Sequence, residues 1–142
     1  MKNTASSSAD CKVSSAAACA RILSAEGLSA WWIGGVKITE QDSSWPAAGS
    51  KMSWKAGGGN FEAVVTEDAR PARIVMKVIT PSADSIITHS FDSLSNGGAR
   101  YTKTVEGHFR TPVTRFFSPL MMWMLGKFVR KEVARAVKYA DA

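Results

Sequence analysis

The stretch TPVTRFFSPLMMWMLGKFVRKEVARAVKYA, residues 111–140, decides how the rest of the chain must be arranged. It reads as one long helix. Thr111-Pro112 and Ser118-Pro119 each set a capping side chain before a proline, whose fixed φ suits a first turn and whose missing N–H is no loss there. The helix is expected to begin near Thr111 and to kink or restart at Pro119. Residues 120–125, LMMWML, are apolar on every side. They are therefore expected to be covered on more than one side, with Met122 and Trp123 packed under two small N-terminal helices. From Gly126 the apolar positions thin to one stripe, Phe128, Val129, Val133, Ala136 and Val137. Lys127, Arg130, Lys131, Arg135 and Lys138 take the other face. Gly126 costs about 1 kcal/mol against alanine in a helix, which a close backbone approach or a slight bend there would explain. Such a helix needs a concave apolar partner.

The upstream chain supplies one. Residues 1–8 read as a polar, serine-rich disordered tail, and residues 9–13 as a short first strand. Ser14-Ser15 caps a small alanine-rich helix that Gly27 stops, and one more helical turn ends at Trp31-Trp32 before Gly34-Gly35. The period then changes to two. Segments 36–39, 51–55, 60–66, 73–80, 85–93 and 99–109 each alternate apolar with polar residues, as half-buried strands do. Turn residues separate them: Pro46 to Gly49, Gly57-Gly58-Gly59, Asp68 to Pro71, Pro81 to Ala83, and Asn96-Gly97. Sequential strands joined by short turns make an antiparallel sheet with one solvated face. The fold class is α+β: about six or seven strands curved around the long C-terminal helix, two short helices after the first strand, and one domain over residues 9–142.

Composition excludes several classes. The 142 residues are 45% hydrophobic and 21% charged, which suits a folded core. No apolar run reaches the roughly 20 residues of a membrane span, and the N-terminal stretch lacks the apolar core of a secretory leader. Cys11 and Cys19 suggest free thiols in a reducing cytoplasm, the expected location. The net charge of +6 comes from basic residues spread over strands and the last helix, without an aromatic-interleaved basic cluster. A solvated basic face is expected, and no nucleic-acid partner.

The order of elements and several signposts resemble the START and birch-pollen-allergen-like superfamily, whose fold is called a helix-grip. The residues that carry the resemblance are Leu28-Ser29-Ala30-Trp31-Trp32, Pro46-Ala47-Ala48-Gly49-Ser50, Glu67 through Arg73, Gly97-Gly98-Ala99-Arg100-Tyr101-Thr102, Val105-Glu106-Gly107 and the basic apolar helix. Within the superfamily the chain looks most like the polyketide cyclase/dehydrase and lipid-transport group. The resemblance implies a cavity between the concave face of the sheet and the last helix.

The strand pattern says which residues would line it. The apolar set of each strand belongs to the concave face, which nominates Trp54, Phe61, Met76, His89, Phe91 and Tyr101 for a ligand-binding wall. The helix adds Phe117, Met121, Met124, Leu125 and Phe128. Methionines and aromatics suit an adaptable apolar pocket, and a closed core would use the same residues. His89, between Ile87 and Phe91, reads first as a core histidine satisfied by Tyr101, Lys103 or a backbone carbonyl. Its functional reading is a ligand hydrogen bond or acid/base catalysis. Lys103 shares the face of Tyr101 and marks a bulge, a pocket mouth or a snorkelling side chain. Neither a metal site nor a cofactor site is expected, because the histidines and cysteines lack ligand spacing. Gly57-Gly58-Gly59 lacks the Lys-Ser/Thr of a phosphate loop. The expected function is binding, and conceivably transport, of an apolar or aromatic small molecule. The alternatives are a polyketide cyclase/dehydratase-like enzyme using His89, and a protein-interaction or co-chaperone-like module. Membrane contact through the basic helix is a lesser expectation, and the chain is expected to be a monomer or homodimer.

Overall fold

The computed structural model describes residues 3–32, 36–57, 59–80 and 83–142. Gly34, Gly35, Gly58, Pro81 and Ser82, where turns were expected, lie outside them. Strand β1 (Thr4–Cys11) leads into helices α1 (Ser15–Ile22) and α2 (Ala25–Trp31). Six strands follow: β2 (Lys37–Gln41), β3 (Lys51–Ala56), β4 (Gly59–Ala69), β5 (Arg73–Ile79), β6 (Ala83–Ser93) and β7 (Ala99–Phe109). Helices α3 (Pro112–Phe116) and α4 (Ser118–Asp141) close the chain. The strands form one antiparallel sheet in the order β1-β7-β6-β5-β4-β3-β2. Since β1 and β2 sit on opposite edges, the chain between them must cross the sheet, roughly 29 Å for six strand spacings. Helices α1 and α2 make that crossing.

Period two places one side chain in two on the inner face. Met52 and Trp54, Ala63 and Val65, Ile74, Met76 and Val78, Ile87, His89 and Phe91, and Tyr101, Lys103 and Val105 are all buried there. Register breaks occur in the β2–β3 pair between Ile38 and Glu40 and in the β4–β5 pair between Val65 and Glu67. Such bulges increase local twist and bend the sheet toward the helix. The outer edge, β2, is short and carries exposed Lys37, Thr39, Glu40 and Gln41, which discourages pairing with another strand.

The expected tail over residues 1–8 is corrected from Thr4 onward. Residues Thr4 to Ser8 belong to β1 and pair with Glu106 back to Thr102 of β7. Their outward hydroxyls meet partners across the strands, Ser6 with Thr104 at 3.0 Å and Ser8 with Thr102 at 2.7 Å. Ala5 and Cys11 turn inward and are buried. A strand of alanines and serines has a period of two without a hydrophobic contrast, so its alternation is hard to see.

The C-terminal segment breaks one residue before Ser118. Helical hydrogen bonds run from Arg115 N–H to the Thr111 carbonyl and from Met121 N–H to the Phe117 carbonyl. Pro119 has no N–H to give the carbonyl of Arg115, so the ladder is interrupted there. Helix α4 then runs for 24 residues, about 36 Å. Its core-facing stripe is Met122, Leu125, Val129, Glu132, Val133, Ala136 and Ala140, and only the part from Val129 onward is fully buried. The C-terminal half is tied down at its end: Arg21 donates to the Ala140 carbonyl at 2.5 Å, and the Asp141 carboxylate accepts from Lys12 N–H at 2.9 Å.

The expectation that LMMWML is covered on several sides is corrected. Leu120, Trp123 and Met124 are 55%, 59% and 43% exposed. Helices α1 and α2, with eight and seven residues, meet α4 along its later half, where Arg135 donates to the Ala30 carbonyl at 3.0 Å. They are too short to reach Trp123 as well. Met122 turns instead toward Gly107 of β7.

Candidate functional site

The concave face carries a continuous series of rings. Phe91 stacks on Tyr101 with centroids 5.1 Å apart, and Tyr101 lies 5.9 Å from His89 and nearly parallel to it. Trp31 meets the His89 edge at 6.3 Å and Trp32 at 5.7 Å. Trp32 then stands edge-on to Trp54 at 5.2 Å and to Phe61 at 6.2 Å, and Trp54 stacks flat on Phe61. This wall runs from β7 and β6 across α2 to β3 and β4, so neighbouring strands and one helix end must all be in register to build it. Edge-to-face and offset-stacked contacts of this kind add about 0.5–1.5 kcal/mol each to simple burial.

Set into the wall is a buried polar cluster. His89 Nδ1 and the Tyr101 hydroxyl share a hydrogen bond of 2.7 Å. Opposite His89 across the β6–β7 ladder sits Lys103. Its ammonium donates to Glu132 of α4 at 3.2 Å and lies 4.7 Å and 5.0 Å from the ring centres of Trp31 and Trp32. A desolvated cation needs such company, a carboxylate plus two π faces. Burial, and then the Lys103 charge, hold the His89 imidazole well below its ordinary pKa, so it is neutral. Burial first, and Glu132 second, raise the Tyr101 hydroxyl well above its usual value. Burial lowers Lys103 while Glu132 pulls it back up.

The indoles show what is satisfied and what is not. Trp31 Nε1 donates to the Ile22 carbonyl at 2.8 Å and Trp45 Nε1 to the Leu23 carbonyl at 3.0 Å, capping the free end of α1. Trp54 Nε1 is buried and has no partner among the described residues. An unmet buried donor costs about 1–3 kcal/mol, so it calls for an explanation. A cleft of about 490 Å³ lies on the other face of the sheet at these strands, lined by the outward residues Thr39, Ser53, Glu62 and Ile79 together with Thr80 and Arg110, and it includes no residue of α4.

The nominated residues fall into two groups. Trp54, Met76, His89, Phe91 and Tyr101 are buried in the sheet, with Phe61 half-buried beside Trp54. Met121 and Leu125 are half-buried on α4, while Phe117, Met124 and Phe128 are exposed. At 3.6 residues per turn, Phe117, Met121, Met124 and Phe128 continue the flank of α4 that carries Glu132 and Arg135. That flank touches β7 and α2 further along, and at Phe117, Met124 and Phe128 it is exposed. Glu132 escaped the sequence reading. It is the one carboxylate in residues 111–140, and Lys103 is the one charge on the inner face of β7. Two lone opposite charges on facing apolar surfaces were the available signal. Among the described residues no cluster of histidine, cysteine and carboxylates could hold a metal ion.

These features define an α+β protein whose curved sheet grips a long helix. No family model matches the sequence, and no curated protein does. Among solved structures the chain is similar to a START superfamily protein from Mycobacterium smegmatis, at 15% identity over 95% of this chain and 94% of that one, TM-score 0.70. It is similar to the Zhui aromatase/cyclase from a Streptomyces species, at 10% identity over 99% and 94%, TM-score 0.72. A protein from Thermus thermophilus matches at 11% identity over 96% of both chains, TM-score 0.74. The fold is a helix-grip, shared with these solved structures. At these identities the likeness is one of fold.

Proposed function

We propose that the protein binds an apolar or aromatic small molecule between the aromatic wall and the free flank of α4. The observation that carries this reading is the pairing of two incomplete surfaces. On the sheet side, Trp54 has a buried N–H without a partner and Phe61 is only half covered. On the helix side, Phe117, Met124 and Phe128 lie exposed. A flat guest with one acceptor oxygen would cover the rings and meet the Trp54 N–H.

Nile red tests the reading, being uncharged, apolar and equipped with a ring carbonyl. Saturable one-to-one binding is expected. Phe128→Glu should weaken it at least about tenfold by placing a charge on the apolar flank. Trp54→Phe should weaken it by about three- to tenfold through loss of one hydrogen bond. Absence of a saturable site, or affinities unchanged by both substitutions, would sink the proposal.

A second reading is a cyclase/dehydratase-like enzyme, favoured by the neutral His89 held against Tyr101 beside a buried ammonium. His89→Gln separates the two: a carrier keeps its guest, whereas an enzyme keeps affinity and loses turnover.

A further inference from the structure

Helix α3 and the outward side of early α4 present Val113, Phe116, Leu120 and Trp123, which are 66%, 78%, 55% and 59% exposed. These are not the residues of the guest-binding flank. Phe116 packs edge-on against its neighbour Phe117, at 5.1 Å. Monomeric surfaces rarely expose four large apolar side chains in one run, and such a run marks a partner surface.

The charges say which partner. From Arg110 to Lys131 the chain carries five cations, Arg110, Arg115, Lys127, Arg130 and Lys131, and no carboxylate. Lys127 places its ammonium 4.0 Å from the centre of the Trp123 ring. An indole with a cation beside it, on a helix with apolar neighbours and basic flanks, is suited to the headgroup layer of a bilayer. Arg110 is paired with Asp84, and a second copy docked through a two-fold axis would set Lys127, Arg130 and Lys131 against their copies. No helix is long and apolar enough to cross a membrane, so the fit is to lie on one.

We infer that α3 and the first half of α4 dock on an anionic lipid bilayer. Val113, Phe116, Leu120 and Trp123 enter the headgroup–acyl boundary, and Lys127, Arg130 and Lys131 meet lipid phosphates. The inference stands apart from the guest-binding reading, because it uses different residues of these helices.

The test is flotation of the full chain with vesicles of phosphatidylcholine containing phosphatidylglycerol, against phosphatidylcholine alone. Binding to the anionic vesicles is expected, at least about tenfold weaker on neutral ones, and falling as salt is raised. Lys127→Gln with Arg130→Gln should weaken it about thirtyfold. Phe116→Ser, Leu120→Ser and Trp123→Ser together should remove it, with the far-UV circular dichroism unchanged because all three are exposed. Trp123→Ser alone serves as the milder variant and should lose about tenfold. The inference is overturned by three results: no flotation with anionic vesicles, a triple variant that floats like the wild type, or a wild-type dimer in sedimentation that this triple variant converts to monomer. The last would assign the face to a second copy.

Discussion

Replacing Glu132 by Gln keeps the shape of the buried ion pair and removes one of its charges. Lys103 then remains as an ammonium whose side chain is 2% exposed, held by the faces of Trp31 and Trp32 and by a neutral amide in place of a carboxylate. Breaking one partner of a buried pair typically costs about 3–5 kcal/mol. There is also a ceiling. The folded protein can shed the lysine proton, and from the ordinary value of 10.5 down to pH 7 that costs about 5 kcal/mol at 1.36 kcal/mol per unit. The amide oxygen that the substitution leaves at position 132 still accepts from the ammonium and recovers part of the loss, about 1–2 kcal/mol. The expected loss at pH 7 is therefore about 3 kcal/mol, a large share of the stability of a domain this size. Losing the carboxylate lowers the folded-state lysine further below its unfolded value of 10.5. Between the lowered value and 10.5 the unfolded state binds more protons, so the variant's stability rises with pH there. The gap between variant and wild type should narrow as the pH is raised toward 10.5. Urea unfolding followed by circular dichroism at half-unit steps from pH 6 to 10 reads both quantities. A loss below about 1 kcal/mol with a gap that does not change with pH would refute the argument and show that water reaches the pair. Lys103→Met with Glu132→Leu should return stability to within about 1 kcal/mol of wild type, since neither charge is then buried.

Three further outcomes follow from the same core. His89 is buried neutral, with a folded pKa well below 6.5. The unfolded state thus takes up a proton first as pH falls, and stability is lost from about pH 6.5 downward, by up to about 1.4 kcal/mol per unit. His89→Gln should flatten that limb in urea titrations between pH 6.5 and 4.5, and parallel curves would contradict it. Gly27→Ala should destabilise by about 1–2 kcal/mol despite a propensity gain of about 1 kcal/mol, because the added methyl would overlap the carbonyls of Arg21 and Ile22; a variant with a raised melting temperature would reverse the ranking of the two effects. Burial pushes the thiols of Cys11 and Cys19 up to about 11. Both should be silent to a disulfide reagent at pH 8 in the native protein and react fully in urea, and rapid native labelling would show that either site opens readily.

Most of the sheet was legible. Trp54, Met76, His89, Phe91 and Tyr101 could be assigned to one inner face, because a strand turns successive side chains to opposite sides and turn residues mark its ends. The same reasoning missed residues 4–8, where serine and alanine alternate without contrast. Tyr101 was among the partners expected for His89, and the 2.7 Å bond is with that hydroxyl. The fate of Lys103 was not legible, since its partner lies 29 residues away on another element.

Helix α4 shows where the division falls. Its existence, its basic side and its interruption near Pro119 follow from local rules that act within one or two turns: a fixed φ, a missing N–H, and a period of 3.6. Which of its apolar residues are covered depends on how far α1 and α2 reach across the sheet. That is a matter of element lengths and crossing positions, set by contacts distant in sequence. Phe117, Trp123 and Phe128 are thus apolar by sequence and exposed by tertiary structure. Burial is a property of the space between elements, and the chain encodes that space only through the assembled sheet.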